Sequence, residues 1–244
     1  MPANVQGFAP ANLDIVPRIV LAIEGLEKTG KTHLALTAPG PNAFFDLDIG
    51  AEGVVSQASA DGKEIVVPDP PLSRSGEHNS PDDWKRAWER FKTLYTAALA
   101  SPDIRTIVVD TETQTYELVR LARFGKLAQV LPRMYGAVFQ EYRDLIEAVY
   151  DSKKNAIFLR KLKPKYVNDK QTDELTPGGY GELAAAVQCN IRTWREPAGG
   201  PFHATILNSR HNYKLAGQDH TDPFISFELL AQTMLPNVPI ERWS

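Results

Sequence analysis

The chain has 244 residues, 43% of them hydrophobic, a formal net charge of −3 and a single cysteine, Cys189. This length allows one large α/β domain or two small ones. The lone cysteine excludes a disulfide within the chain and a zinc site with several cysteine ligands. The net charge does not show the overall basic character that is typical of nucleic-acid-binding proteins. No apolar stretch approaches the roughly 18 residues of a membrane span, and residues 1–17 do not resemble a signal peptide, so we expect a cytoplasmic protein that binds no membrane.

A phosphate-binding motif follows the first predicted strand. Residues 18–23 are apolar and rich in branched side chains, residues 25–32 read G-x-x-x-x-G-K-T, and residues 31–38 have helical spacing. Glycines let backbone N–H groups surround a polyphosphate, the helix N-terminus favours anions, Lys31 adds a positive charge, and Thr32 offers its hydroxyl to Mg²⁺. The order of strand, turn and helix argues against a chance match. The sequence predicts that a nucleoside triphosphate contacts Gly25, Leu26, Glu27, Lys28, Thr29, Gly30, Lys31, Thr32 and His33.

The second predicted strand, residues 42–48, ends in acidic residues. Hydrolysis of a nucleotide needs a carboxylate that orients or deprotonates a water in line with the γ-phosphate. Asp46, Asp48 and Glu52 are available for this role, and the alternative that they only end a strand in solvent stays open. Residues 63–68 predict a short third strand near an edge of the sheet.

A proline-rich segment, residues 68–81, has the composition of an exposed, mobile loop. A helix is predicted after Ser80, because a capping serine is followed by proline at the first helical position and by acidic residues in the first turn. An aromatic stripe along this helix could stack bases, but its helical spacing favours a side that faces the core. The stripe includes Trp84, Trp88 and Phe91.

The fourth predicted strand, residues 104–110, ends at Asp110. A carboxylate at this strand tip, beside the phosphate loop, can accept hydrogen bonds from Mg²⁺-bound water, so we assign Asp110 with Thr32 to the metal site. Glu112 lies two residues further and could serve instead as a base. An extended backbone would point residues 110 and 112 the same way, so the sequence does not wholly separate their roles.

From residue 18 to about residue 230 the chain resembles a RecA-like ATPase core, most closely the small phage-encoded RecA-like proteins that anneal or pair single-stranded DNA. Residues 44–48 are similar to the family strand that ends in an acid-x-acid pattern, which implies that Asp48 is the catalytic base, where the family usually has glutamate. Residues 156–163 resemble the strand that ends in a γ-phosphate sensor. Lys161 falls at the sensor position, where the family commonly has glutamine or histidine.

Later segments continue the resemblance. Residues 176–179 look like the end of the family's second DNA-binding loop, and Arg210 matches the second cation of a pair that reaches the neighbouring subunit's nucleotide. The resemblance implies an α/β fold with a mostly parallel central sheet flanked by helices, extended by a C-terminal β-hairpin. It also implies ATP with Mg²⁺ and a homo-oligomer, either a ring or a filament. The expected divisions are an N-terminal extension (1–17), a RecA-like ATPase domain (18–230) and a C-terminal tail (231–244).

Local basic patches are the candidates for DNA contact. Residues 153–165 contain six basic side chains and no acidic one, and residues 120–135 carry further cations where the family's first DNA-binding loop would lie. Such patches could track a phosphate backbone, although charge runs are usually solvated surface. Residues 162–179 are predicted to lack regular structure and to be mobile without DNA. The DNA-binding candidates are Arg123, Lys126, Arg133, Lys163, Lys165 and Tyr166.

The sequence therefore indicates an ATP-binding and ATP-hydrolysing protein, stimulated by single-stranded DNA, that acts in phage-type recombination or annealing. If the chain is encoded by a phage, its compartment is the cytoplasm of the host cell. One alternative is a small-molecule P-loop kinase, for which residues 68–81 with their single Arg74 make a poor lid. A second alternative is a non-catalytic ATP-binding assembly or regulatory protein.

Overall fold

A computed structural model describes residues 15–48, 50–72, 80–127, 130–168 and 170–243. The predicted alternation of strands and helices is confirmed. The strands within this part of the chain are β1 (Val20–Gly25), β2 (Asn42–Asp46), β3 (Ile65–Val66), β4 (Thr106–Asp110), β5 (Asn155–Val167), β6 (Lys170–Pro177), β7 (Cys189–Arg195), β8 (Phe202–Ser209) and β9 (Asp219–Thr221).

The strands form a sheet in the order β3-β2-β4-β5-β1-β7-β8-β9, and β6 pairs with β5. All strands from β3 to β7 in this order run parallel, whereas β8 and β9 extend the sheet as antiparallel strands. The predicted edge position of the third strand and the C-terminal hairpin extension are both confirmed. Because the C-terminal ends of parallel strands lie on the same side of a sheet, the C-terminal ends of β1, β2 and β4 lie close together there.

Helices cover both faces of the sheet. None of the described helices is long and apolar enough to cross a membrane. Short 3₁₀ turns occur at Pro132–Tyr135, Pro197–Gly199, Tyr213–Leu215 and Ile240–Arg242. The α-helices are α1 (Lys31–Leu36), α2 (Glu52–Ala60), α3 (Pro81–Ala100), α4 (Glu112–Phe124), α5 (Gly136–Ser152), α6 (Leu183–Ala186) and α7 (Phe227–Met234).

The alternation of side chains along each strand builds two cores. In β1, Val20 and Ala22 face the core beneath α3, α4 and α5, while Leu21 and Ile23 face the core beneath α1 and α7. Such central strands are apolar throughout because both faces are buried. Trp243 is wholly buried in the second core, and the boundary expected at residue 230 falls inside α7. Residues after 230 therefore contribute to the packing of the domain.

The helix predicted after Ser80 is present as α3. The Ser80 hydroxyl accepts a hydrogen bond from the Asp83 amide at 3.2 Å, which satisfies one of the free N–H groups of the first turn. The aromatic stripe of α3 faces the first core, so its core-facing interpretation is confirmed and the base-stacking alternative is wrong. Its buried members are Trp84, Trp88, Phe91 and Tyr95.

The prediction that residues 162–179 lack regular structure is wrong. Here β5 continues beyond the sheet and pairs with β6 as an antiparallel hairpin. Cross-strand hydrogen bonds, which local composition does not reveal, satisfy the backbone, and Pro164 is accommodated at a register shift. Asp169 lies outside the described residues, as do residues 73–79 of the predicted proline-rich loop and residues 1–14 of the expected N-terminal extension.

Candidate nucleotide site

The phosphate loop joins β1 to α1 and is packed against β7. A Cβ atom on Gly25 would lie 2.5 Å from the Thr193 hydroxyl oxygen, so this position has no room for a side chain. Gly30 has a φ of 85°, in the left-handed region that favours glycine. The hydroxyls of Thr29 and Thr193 are 2.9 Å apart, in hydrogen-bond contact. The motif's glycines are therefore required by packing as well as by the approach of phosphate.

Lys31 lies across the loop with its ammonium group held by backbone carbonyls. Its Nζ donates to the carbonyl oxygen of Gly25 at 3.0 Å and to that of Leu26 at 2.5 Å. Burial lowers the pKa of Lys31, and the nearby Asp110 carboxylate opposes this shift. The cation is thus positioned at the loop where a phosphate group would be bound.

Thr32 and Asp110 are in direct contact, as their assignment to one metal site requires. The Thr32 hydroxyl donates to Asp110 Oδ2 at 2.7 Å. Burial raises the pKa of Asp110 to about 6, because its side chain is almost fully shielded from water. A hydroxyl and a carboxylate at one point are hard oxygen ligands that fit Mg²⁺.

Asp48 lies at the same edge, just after β2, and forms an ion pair with Lys161 of β5. Lys161 Nζ is 2.7 Å from Asp48 Oδ1. The Asp48 amide donates to Asp46 Oδ1 at 3.0 Å, which fixes the backbone after the strand. Asp48, Asp110 and Lys161 all act electrostatically on Lys31. The structure therefore brings together four of the five predicted catalytic and metal-site charges, Lys31, Asp48, Asp110 and Lys161.

Glu112, the alternative base, occupies a different environment. Its side chain is fully buried, Oε1 accepts a hydrogen bond from the Tyr180 amide at 2.7 Å, and Oε2 lies 3.4 Å from Nε of Arg160. Burial raises the pKa of Glu112 to about 7, against the opposing effect of Arg160. Since this carboxylate has no exposure to water, the geometry favours Asp48 as the group that meets an attacking water.

A cavity of about 400 Å³ opens beside the phosphate loop. The Phe202 ring forms part of its wall and carries the Arg195 guanidinium 4.5 Å from its centroid. His203 stacks on Trp194 with ring centroids 3.8 Å apart, and its Nδ1 is 2.7 Å from Asp219 Oδ2. This wall is not predictable from the sequence, because β8 comes close to the phosphate loop only by pairing with β7, which pairs with β1. The lining includes Thr29, Gly30, His33, Val54, Gln57, Phe202 and His203.

The family model described as an AAA domain matches residues 18–190. The chain belongs to the AAA domain family. No curated protein sequence is significantly similar to it. Among solved structures it resembles the crystal structure of the RadB recombinase with a TM-score of 0.52 and 16% identity, over 83% of this chain and 86% of that one. The structural likeness confirms the predicted fold, an α/β domain with a mostly parallel central sheet flanked by helices.

Arg210 lies beyond the residues that the AAA family model matches and away from the phosphate loop of its own chain. It follows β8, whose last residue Ser209 pairs with Cys189 at the start of β7. Since β7 runs parallel to β1, Arg210 lies where these two strands begin, at the opposite end of the strands from Gly25. The Arg210 guanidinium donates to the Ala185 carbonyl. A role for Arg210 at a neighbouring subunit's nucleotide stays a prediction.

The basic run of the AAA domain is only partly available for DNA. Arg160, counted in the basic run of residues 153–165, is buried and donates to the carbonyls of Gly178 and Tyr180, so it cannot contact a phosphate backbone. Lys154 donates to the carbonyls of Ser101 and Ile104. These side chains brace the fold, a role that depends on tertiary contacts invisible in the sequence.

The remaining cations near the hairpin are exposed. Lys163, Lys165 and Tyr166 lie on the surface of β5, and Tyr166 is 64% exposed. Lys165 forms an ion pair with Glu174 at 2.7 Å. The exposed side of β5 therefore carries cations and an aromatic ring, while β6 beside it carries the exposed carboxylates of Asp173 and Glu174.

The earlier candidates lie at the other end of α4. Arg123 pairs with Glu141 at 3.0 Å, and the Lys126 ammonium is 5.6 Å from the centroid of Trp84. Arg133 is exposed. The base of the hairpin, at Gly178, contacts Thr113 at the start of α4. The far end of α4, near Arg123, lies about 17 Å further along the helix axis.

Proposed function

We propose that this AAA domain binds ATP with Mg²⁺, hydrolyses it, and acts on single-stranded DNA in phage-type recombination or annealing. The observation that carries the nucleotide part is the 2.7 Å contact between Thr32 and Asp110 beside Lys31. Three separate elements, the phosphate loop with α1, the tip of β4 and the tip of β2, meet at that point. Their side chains match the chemistry of phosphoryl transfer to water.

The proposed roles follow from the charges. A water oxygen attacks the γ-phosphorus while Asp48 accepts its proton, the bond from the γ-phosphorus to the bridging oxygen breaks, and ADP leaves with that electron pair. Lys31 and Lys161 offset the negative charge of the phosphate oxygens. Mg²⁺, held by Thr32 and Asp110, supplies Lewis-acid stabilisation when bound.

The cavity beside the loop supports a place for the nucleobase. It continues from Gly30 toward α2 and β8, and Phe202 offers an aromatic wall whose Arg195 contact holds the ring in place. A nucleobase bound there would position the phosphates of the nucleotide next to the Lys31 ammonium group. The same wall joins the phosphate loop to the C-terminal hairpin extension.

The DNA part of the proposal is supported by the hairpin. Lys163 and Lys165 are exposed cations beside the exposed Tyr166 ring, a combination that suits backbone tracking and base stacking. The fold is shared with a protein named as a recombinase. We further propose that the protein works as a homo-oligomer, a ring or a filament, in which Arg210 contacts the nucleotide of the next subunit.

One observation favours a second candidate. Asp48, the proposed base, is paired with a cation, which would suit an ATP-binding regulatory or assembly protein that turns over slowly. Measurement of phosphate release separates these possibilities.

The deciding experiment combines nucleotide binding with turnover. The parental protein should bind ATP and release phosphate, faster with single-stranded DNA, and transfer no phosphoryl group in a screen of small-molecule acceptors. Lys31→Ala should abolish ATP binding with an unchanged circular dichroism spectrum, because it removes a phosphate contact from the loop. Unchanged ATP affinity in that variant would contradict the assignment of the loop, and transfer to an acceptor would identify a kinase.

A further inference from the structure

Two basic side chains beside the sheet contain buried nitrogen atoms without partners. Within the described residues, Nε and Nη1 of Arg18 and Nε2 of His211 are buried and form no hydrogen bond. Buried polar groups in proteins are nearly always hydrogen-bonded, and an unpaired set in a native fold calls for a partner such as an ion or a water. These three atoms are therefore available to a ligand.

The fold brings these two side chains to the same end of the strands. Arg18 precedes β1 by two residues, and His211 follows β8 by two residues. The strand between them is β7, whose first residue Cys189 pairs with Leu21 of β1 and with Ser209 at the end of β8. Burial lowers the pKa of His211, and the charge of Arg18 lowers it further, so the two groups are near each other.

The Arg18 guanidinium is held through its face. Its Cζ atom lies 4.4 Å from the centroid of the Tyr150 ring. The Tyr150 hydroxyl donates to the Ala186 carbonyl at 2.7 Å, which fixes the ring. A guanidinium stacks through its face, whereas its N–H bonds point outward in its plane. Stacking therefore sets the orientation of Arg18 without using Nε or Nη1.

The surroundings of Arg18 are positively charged. Burial lowers the pKa of Arg18, and among the described residues no carboxylate opposes this shift. Arg210 adds a second guanidinium, since both arginines act electrostatically on Tyr150, and Arg210 is held by the Ala185 carbonyl. The whole chain has a net charge of −3, so this positive region is a local feature that attracts anions.

A cavity of about 260 Å³ opens beside His211. Asn212 and Asn237 contribute polar groups to its wall, and the remaining lining residues are apolar. The cavity offers several times the space that one water needs, so a small ion can enter it. The unpaired nitrogen atoms are shielded from the surface, a position that suits a small ion and keeps the backbone of a long nucleic acid out of reach.

We propose that Arg18 and His211 form a second anion site, which binds a phosphate-type oxyanion at the end of the strands opposite the phosphate loop. Nε and Nη1 of Arg18 donate to the oxyanion, and so does Nε2 of His211 when it carries the imidazole proton. Charge-assisted hydrogen bonds of this kind satisfy all three atoms. Free orthophosphate and the terminal phosphate of a nucleotide share this chemistry. The site is distinct from the nucleotide site of the proposed function.

The test follows Arg18 itself while orthophosphate is added. In proton–nitrogen NMR spectra the Nε–H resonance of Arg18 is assigned by its absence from Arg18→Lys. It should shift and saturate with phosphate and should not move with sodium chloride at the same ionic strength. Because this resonance reports the second site directly, the result can be read in the parental protein and in Lys31→Ala, whose phosphate loop is weakened.

Unfolding in urea gives a second measurement, made in the Lys31→Ala background. Phosphate should raise the urea midpoint, because a ligand that binds the folded state stabilises it. His211→Phe should weaken phosphate binding about tenfold, as expected for the loss of one charge-assisted hydrogen bond. Arg18→Met should remove most of the response and, without phosphate, should be at least as stable as its parent, since it removes two unpaired buried donors. Arg86→Met, at an exposed arginine of α3, is the matched control and should keep the full response.

Each outcome decides the proposal. If the Arg18 resonance of Lys31→Ala moves with ADP but not with orthophosphate, the site is supported and its ligand is the phosphate of a nucleotide. If neither ligand moves the resonance, a water molecule accounts for the unpaired atoms and the proposal is overturned. An equal movement with sodium chloride, or an undiminished phosphate response in Arg18→Met, also overturns it. A failure of the parental protein to bind ATP would contradict the proposed function and leave this site standing.

Discussion

Hydrolysis in the proposed mechanism depends on one proton transfer, from water to Asp48. Asp48→Asn keeps the shape and a hydrogen-bonding side chain but cannot take that proton, so phosphate release should fall by about 10²- to 10⁴-fold while ATP still binds. Single-turnover hydrolysis with saturating ATP measures the effect. Asp103→Asn, at an exposed aspartate before β4 on the opposite edge, should turn over normally. Parental rates in Asp48→Asn would place the base at another carboxylate.

Asp110 gives a dependence of stability on pH. Its pKa is raised by burial from 3.8 to about 6, so the folded protein favours the protonated carboxyl and loses this contribution as pH rises through about 6. Asp110→Asn retains an acceptor for the Thr32 hydroxyl without the charge. In Mg²⁺-free buffer near pH 7 it should raise the free energy of unfolding by about 1–3 kcal/mol.

Urea unfolding near pH 7 and near pH 4 checks this expectation. The difference between Asp110→Asn and the parental protein should shrink strongly at the lower pH, where the folded Asp110 carboxyl is neutral and the unfolded one, with its ordinary pKa of 3.8, is only partly ionised. The variant should also lose Mg²⁺-dependent ATP binding. A stability difference independent of pH would show that the buried charge is not its cause.

At the scale of elements, variants in the hairpin of β5 and β6 test the proposed DNA binding separately from nucleotide binding. Replacing Lys163 and Lys165 by alanine should weaken single-stranded DNA binding and reduce its salt dependence by up to about 1.4 units of log–log slope, because fewer counterions are released. Fluorescence anisotropy over a salt series measures both quantities. ATP binding should survive.

Two further variants sharpen that experiment. Lys85→Ala with Lys214→Ala removes the same charge from other parts of the surface and should leave the DNA affinity nearly unchanged. If the hairpin variant keeps the parental affinity and salt slope, the basic surface of β5 is only solvated charge, and the DNA part of the proposal loses its local support.

The elements differ in how far the sequence predicts them. The phosphate loop, the tip of β4 and the start of α3 are encoded locally, by glycine spacing, an apolar run ending at Asp110 and the cap at Ser80. The hairpin depends on pairing between its two adjacent strands, which neither proline content nor charge reveals. The burial of Arg160 likewise depends on the carbonyls of a turn that β6 brings back to it. A charge run in the sequence therefore does not reveal which of its cations reach the surface.

At the scale of the whole molecule, the topology places Arg210 and the phosphate loop at opposite edges of one sheet. An Arg210 that touches a nucleotide must therefore belong to a second subunit. Mixing Arg210→Ala with Lys31→Ala subunits, each inactive alone, should restore part of the turnover at mixed interfaces, and parental activity per subunit should rise with protein concentration. Steady-state phosphate release measures both effects.

The oligomer itself must be monitored in the mixing experiment, by light scattering. Arg242→Ala, at another exposed arginine, should remain active alone. A mixture that assembles and stays inactive would assign Arg210 a structural or DNA-contacting role.

The buried pair of Arg160 and Glu112 limits which amino-acid substitutions the protein can accept at these positions. Removing either partner leaves an unpaired ion in the interior and lowers the free energy of unfolding by about 3–5 kcal/mol. Replacing both partners with well-packed neutral groups can leave the stability nearly unchanged. Gly179 shares the constraint, since a Cβ there would lie 2.0 Å from a Glu112 oxygen. A substitution at only one of these three positions is therefore disfavoured, whereas coordinated substitutions at several of them are tolerated.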